Sequence, residues 1–101
     1  NCGCIRHSEL LGKKVRKVAV LGGSGAFAID AAKASKADFF LTGDIKYHQF
    51  YQAEGRLVVA DIGHYESEQF TKNLMAQYLT KKIPNFAVRL SEINTNPIKY
   101  L

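Results

Sequence analysis

An imidazole and a carboxylate stand one helical turn apart in the stretch ADIGHYESEQF, residues 60–70. Side chains four positions apart on a helix are neighbours. A helix beginning near His64 therefore sets His64 and Glu68 side by side. An imidazole nitrogen and a carboxylate oxygen together suit Zn, Mn, Fe and similar divalent ions. Gly63 permits a sharp backbone turn just before the histidine. Asp61, at the end of the preceding apolar run, is placed to orient the imidazole from behind. One histidine and one glutamate do not complete a site, however. The same spacing also describes a first-turn glutamate favoured by the helix dipole and a histidine that merely starts a helix.

Two further features lie close by in the chain. Asp44 and His48 repeat the spacing of four. They read either as groups that support a ligand or face a substrate, or as a capping aspartate followed by a helix histidine. GSGAFA, residues 23–28, fits the pattern G-x-G-x-x-A. With an acid, Asp44, at the end of the next strand, that is the arrangement of a dinucleotide-binding turn. Gly23, Ser24 and Gly25 are accordingly a candidate phosphate-binding loop. A tight turn with close strand–helix packing accounts for the glycines equally well.

These residues need elements to position them. Residues 15–21, VRKVAVL, are rich in β-branched side chains and stop at GGSG, which reads as a strand. Ser24 is placed to cap a helix over the alanine-rich residues 26–36. Residues 38–42 form a second strand, and a short helix runs from Asp44 to a stop at Gly55. Residues 56–62 form a third strand. The longest helix expected covers 65–82, with Phe70, Leu74, Met75, Tyr78 and Leu79 on one face. FAVRLSE, 86–92, reads as a fourth strand, followed by an irregular tail. The fold class implied is α/β, a mostly parallel sheet in β-α-β-α-β-α-β order with helices on both faces. Parallel strands end on one rim, where open α/β sheets bind ligands. That rim collects the glycine turn, Asp44, His48, His64 and Glu68.

At 101 residues the chain is expected to be one domain, with 1–14 a remnant of a preceding segment. No apolar run approaches the roughly 18 residues of a membrane span. The two cysteines, Cys2 and Cys4, are too few for a disulfide framework or a structural zinc site, so a cytoplasmic protein is expected. The net charge of +5 comes largely from GKKVRK at 12–17 and KK at 81–82. Such runs are solvated faces first, and nucleic acid is an unfavoured partner.

KVAVLGGSG, ADFFLTGDIKYH, ADIGHYESEQF and LSEINTNPIKYL together resemble the C-terminal segment of the Nif-three-like (NGG-one-interacting-factor-three) family of dinuclear metal centre hexameric proteins. Its members are often labelled type-two GTP cyclohydrolase. The resemblance runs from about Arg6 to the last residue. It implies a centre of two divalent ions (Zn, Mn or Fe) to which His64 and a bridging Glu68 contribute. It implies that Asp44 and His48 support the ligands from behind or face the substrate, that the parent is a homo-hexamer, and that a nucleotide such as GTP is a ligand. The family's remaining ligands, a His-His pair and an aspartate, belong to an N-terminal half. No His-His pair occurs in this chain, so it is expected to hold part of the site and to be inactive alone. A nucleotide-binding module built on GGSGAFA and a non-enzymatic assembly domain are the competing readings.

Overall fold

The computed structural model describes residues 2–101. Four strands make one mixed sheet: β1 (Arg6–His7), β2 (Val18–Ser24), β3 (Phe39–Gly43) and β4 (Val58–Asp61), in spatial order β1-β4-β3-β2. The three longer strands are parallel, with Val18, Phe39 and Val58 in register, and Val20, Leu41 and Ala60 two residues further on. β1 runs antiparallel to β4. Three α-helices follow the strands: α1 (Ile29–Ala34), α2 (His64–Glu68) and α3 (Thr71–Lys82). Two 3₁₀ segments, Ala26–Ala28 and Tyr47–Ala53, complete the elements.

Both crossovers between parallel strands step in the same direction across the sheet. Crossovers of one hand then put their connecting segments on one face. The core reflects this. Phe40 and Val59 face Ile29 and Ala32 of α1 and Ala53 of the second 3₁₀ segment, with Ala37, Ile45 and Leu57 filling between them. On the other face Val58 and Ala60 are buried, but Val20 on β2 is 69% exposed. The expectation of helices on both faces therefore fails at β2, because apolar runs in adjacent strands cannot reveal which way the crossovers step.

Asp38 sets where the sheet begins. Its Oδ2 accepts the backbone N–H groups of Arg16 and Lys17, both at 3.0 Å, and Lys13 lies 3.5 Å from Oδ1. Those amides and the cation hold the Asp38 carboxyl below its ordinary value.

Several expected elements differ. No strand forms over 86–92; a bend at Phe86 leads into chain that joins neither a helix nor a ladder. The fourth strand lies instead in the segment expected to be a remnant, at Arg6–His7. The strand pattern of FAVRL signals an extended chain with one apolar side, but only a free sheet edge can turn that into a strand. The long helix breaks at Gln69–Phe70, and its expected inner face is open, with Leu74 68% exposed and Phe70 66%. Ser24 ends β2 and does not cap; Gly25 precedes the 3₁₀ turn with no side-chain cap. Asp44 does not cap either, since the 3₁₀ segment starts after Lys46, whose N–H bonds Gln49 Oε1 at 2.8 Å. Among the described residues, no helix is long and apolar enough to cross a membrane.

Candidate metal centre

The rim expected to carry the chemistry is built around a buried carboxylate. Asp61, the last residue of β4, is 3% exposed. Its Oδ2 accepts the Ile45 N–H at 2.8 Å and a hydrogen bond from Arg6 of β1. Its Oδ1 accepts the Gly63 N–H at 2.8 Å. A buried carboxylate requires partners of this kind. Asp61 thus fixes the backbone on two sides at once: the loop that carries Asp44, and the turn that launches α2. Among the described residues it makes no hydrogen bond to the imidazole that it was expected to orient from behind.

That role falls to Asp44. Its backbone is left-handed, with φ +57°, which swings the side chain toward α2. His64 Nδ1 donates to Asp44 Oδ2 at 2.6 Å, and Nε2 lies 3.2 Å from Glu68 Oε2. The three side chains, Asp44, His64 and Glu68, are about half exposed, so the pair can be approached from outside. The hydrogen bond from Asp44 raises the His64 pKa above its ordinary value. Partial burial opposes the rise, and the charges of Asp44 and Glu68 add to it. Gly63, at φ +91° and ψ 146°, occupies a backbone region open essentially to glycine alone. This geometry starts α2 at His64 and aims its first turn at β2.

The glycine turn of β2 forms the opposing wall. Gly23 has φ +71°, and a Cβ there would lie 2.5 Å from Glu68 Oε1 and 3.5 Å from His64 Nε2. The absent side chain at 23 is therefore the space that the carboxylate and the imidazole share. The Gly23 N–H donates to Ser67 Oγ at 2.8 Å, and Ser67 Oγ donates to the His64 carbonyl at 2.8 Å. The Gly25 N–H points to the Gly43 carbonyl at 3.4 Å. Two amides that a phosphate cradle would use are thus already engaged, and the loop packs against the His–Glu pair. Ser24 is exposed at the end of β2, opposite Gly43. His48 lies on the 3₁₀ segment, edge-on to Tyr47 at 5.0 Å, with no hydrogen bond to Asp44, His64 or Glu68 among the described residues. Cys2 and Cys4 are free thiols at the surface.

Sequence reasoning missed Ser67 and Thr42. Ser67 lies three residues after His64 and ties α2 to β2. Thr42 is buried, donates to the Gly23 carbonyl at 3.2 Å and occupies the space a side chain at Gly25 would need. A small hydroxyl residue opposite a glycine was the available signal.

The donors fit a metal in part. Asp44 holds Nδ1, so Nε2 would be the nitrogen to coordinate an ion, and Glu68 presents an oxygen beside it. Among the described residues no group of three His, Cys, Asp or Glu is placed to hold an ion, so this pair would be a fraction of a coordination sphere. The family model described as Duf34/NIF3 (NGG1p interacting factor 3) matches residues 1–97. The chain belongs to the Duf34/NIF3 family. A Staphylococcus epidermidis relative named GTP cyclohydrolase 1 type 2 homolog is 36% identical over 104 residues, covering 99% of this chain and 28% of its own length. A Staphylococcus aureus relative of the same name is 40% identical over 107 residues, covering 100% of this chain and 29% of its own length. The crystal structure of a Bacillus cereus protein related to NIF3 superposes with a TM-score of 0.78 at 33% identity, covering 99% of this chain and 29% of that one. The Duf34/NIF3 chain described here spans less than a third of the length of each of these three proteins.

Proposed function

We propose that this Duf34/NIF3 chain contributes His64 and Glu68 as ligands of a divalent-metal centre in a hydrolase-like protein. One observation carries the reading: the imidazole is clamped at Nδ1 by Asp44 at 2.6 Å, and its other nitrogen faces Glu68 Oε2 at 3.2 Å. A histidine that served only the helix start would not need a carboxylate at each nitrogen. Gly23 supports the same reading, because it keeps the space over the pair clear of a side chain.

The ligand set would be completed from outside these 101 residues. The family resemblance points to two ions (Zn, Mn or Fe) with Glu68 bridging them, and to a homo-hexameric assembly. A bound divalent ion supplies a water of lowered pKa and polarises an oxygen of the substrate. The chain's own residues would do the holding: Asp44 fixes the ring tautomer, Asp61 fixes the two backbone segments, and Ser67 ties α2 to β2. The name shared by the curated relatives supports a nucleotide such as GTP as substrate.

Calorimetric titration of the dialysed protein with zinc or manganese tests this. Saturable binding is expected, weakened at least about tenfold in His64→Ala and in Glu68→Gln. Metal binding that both variants leave unchanged would overturn the assignment.

A further inference from the structure

Beside the His64–Glu68 pair lies a cleft of about 480 Å³, a volume ordinary for a small-molecule site. The pair forms one of its sides. We propose that this cleft binds a small organic anion with a flat, apolar body, and that Lys72 receives the anionic group. The proposal rests on the metal reading above and names the class of ligand that such a centre would act on.

Three observations lead there. First, the far wall is a built surface. Residues 91–98 lie across α2 and α3, held by Lys72 Nζ to the Ser91 carbonyl at 2.6 Å and Asn96 Nδ2 to Glu66 Oε1 at 3.0 Å. Asparagine side chains brace this segment from within: the Asn96 N–H bonds Asn94 Oδ1 at 2.9 Å, and the Ile98 N–H bonds Asn96 Oδ1 at 3.1 Å. Second, the walls are apolar where a ring would lie. Tyr65 faces the cleft from α2, and Ile93, Pro97 and Ile98 face it from the crossing segment. Flat ligands bury their area against such surfaces. Third, the charge is asymmetric. Among the described residues, Lys72 is the one lysine or arginine lining the cleft. Among the described residues, no carboxylate lies within ion-pair distance of it. Its bond to a carbonyl uses one of three ammonium protons and leaves two for a ligand. Glu68, the only acid on the lining among the described residues, belongs to the proposed metal pair. A ligand spanning the cleft would meet a cation at Lys72, apolar surface in its middle and the metal pair at its other side.

The test uses guanosine 5′-monophosphate, indole-3-acetate and neutral guanosine as probes, each titrated into the protein with and without zinc. Zinc binding is measured on the same samples. Anionic probes should bind saturably and outcompete guanosine. Lys72→Gln should weaken them about tenfold while leaving guanosine unaffected, and Lys72→Arg should restore most of the loss. Loss for the nucleotide alone assigns a phosphate ester, loss for indole-3-acetate alone assigns a carboxylate, and loss for both assigns anions of either kind. Lys72→Gln that binds every probe like the parent overturns the proposal, as does a parent that binds none. Unchanged zinc binding alongside that failure leaves the metal reading standing. Lys72-dependent anion binding by a protein that takes up no zinc sinks the metal reading and keeps the cleft.

Discussion

Replacing Gly23 with alanine separates the space over the His64–Glu68 pair from the pair itself. Two effects follow from one methyl group. The backbone at 23 is left-handed, φ +71°, which costs an L-residue about 1–2 kcal/mol. For a domain of this size each kcal/mol moves the melting temperature by about 4–8 °C. The new Cβ would also sit 2.5 Å from Glu68 Oε1 and 3.3 Å from its Cδ. A carboxylate at the end of a flexible side chain can swing away, so this clash adds little to the folding cost. It does move Glu68 off the line toward His64 Nε2, now 3.2 Å. Gly23→Ala should therefore fold, melt several degrees lower, and bind zinc at least about tenfold more weakly, since one of two donors is displaced. The assay is a thermal melt followed by zinc calorimetry on the same preparation. A variant that melts lower but binds zinc like the parent would refute the argument that residue 23 is glycine for the sake of Glu68.

Two other outcomes bear on the electrostatics. Asp44→Asn weakens the hydrogen bond and removes the charge with which Asp44 lifts the His64 pKa, so the imidazole should titrate closer to its ordinary value by NMR. Protons compete with metal at Nε2, and a raised pKa keeps the proton to higher pH. The pH at which zinc binding is half lost should thus move downward in Asp44→Asn, while affinity at high pH falls about 10- to 100-fold because the ring is less firmly held. Asp38 has a depressed pKa, so its contribution to stability is complete above the ordinary value of 3.8 and disappears as pH falls through the lower folded value. Asp38→Asn should destabilise the protein in urea melts at neutral pH and make no difference once the parent carboxyl is protonated.

Much of the site could be read from short-range pattern. His64 and Glu68 are four apart behind a glycine, and their meeting needs only a helix that starts on time. The apolar runs at 15–21, 38–42 and 56–62 became β2, β3 and β4 with modest shifts at the ends, because β-branched and aromatic residues between glycine stops specify extended chain locally. β1 was invisible for the opposite reason. Two exposed residues, Arg6 and His7, carry no periodicity, and what places them is a hydrogen bond from Arg6 to a buried carboxylate 55 positions away. Residues 86–92 misled because alternation describes one apolar side and says nothing about a partner edge. The expected helix of 65–82 misled in the same way: its stripe of Phe70, Leu74 and Tyr78 is real as a pattern, and these residues remain largely exposed within this chain.

By itself, then, the order of residues determined the three parallel strands, the glycine turns at their ends, and the neighbourhood of one imidazole with one carboxylate. All of these are contacts within a few positions, where backbone preference and side-chain spacing act directly. Only the tertiary structure decided which carboxylate clamps the imidazole. Asp61 was the nearer in sequence, but burial engages it with two amides and Arg6, while the left-handed backbone at 44 brings Asp44 to the ring across 20 residues. Side-chain partners at that range depend on how strands stack in register, and no local preference encodes that.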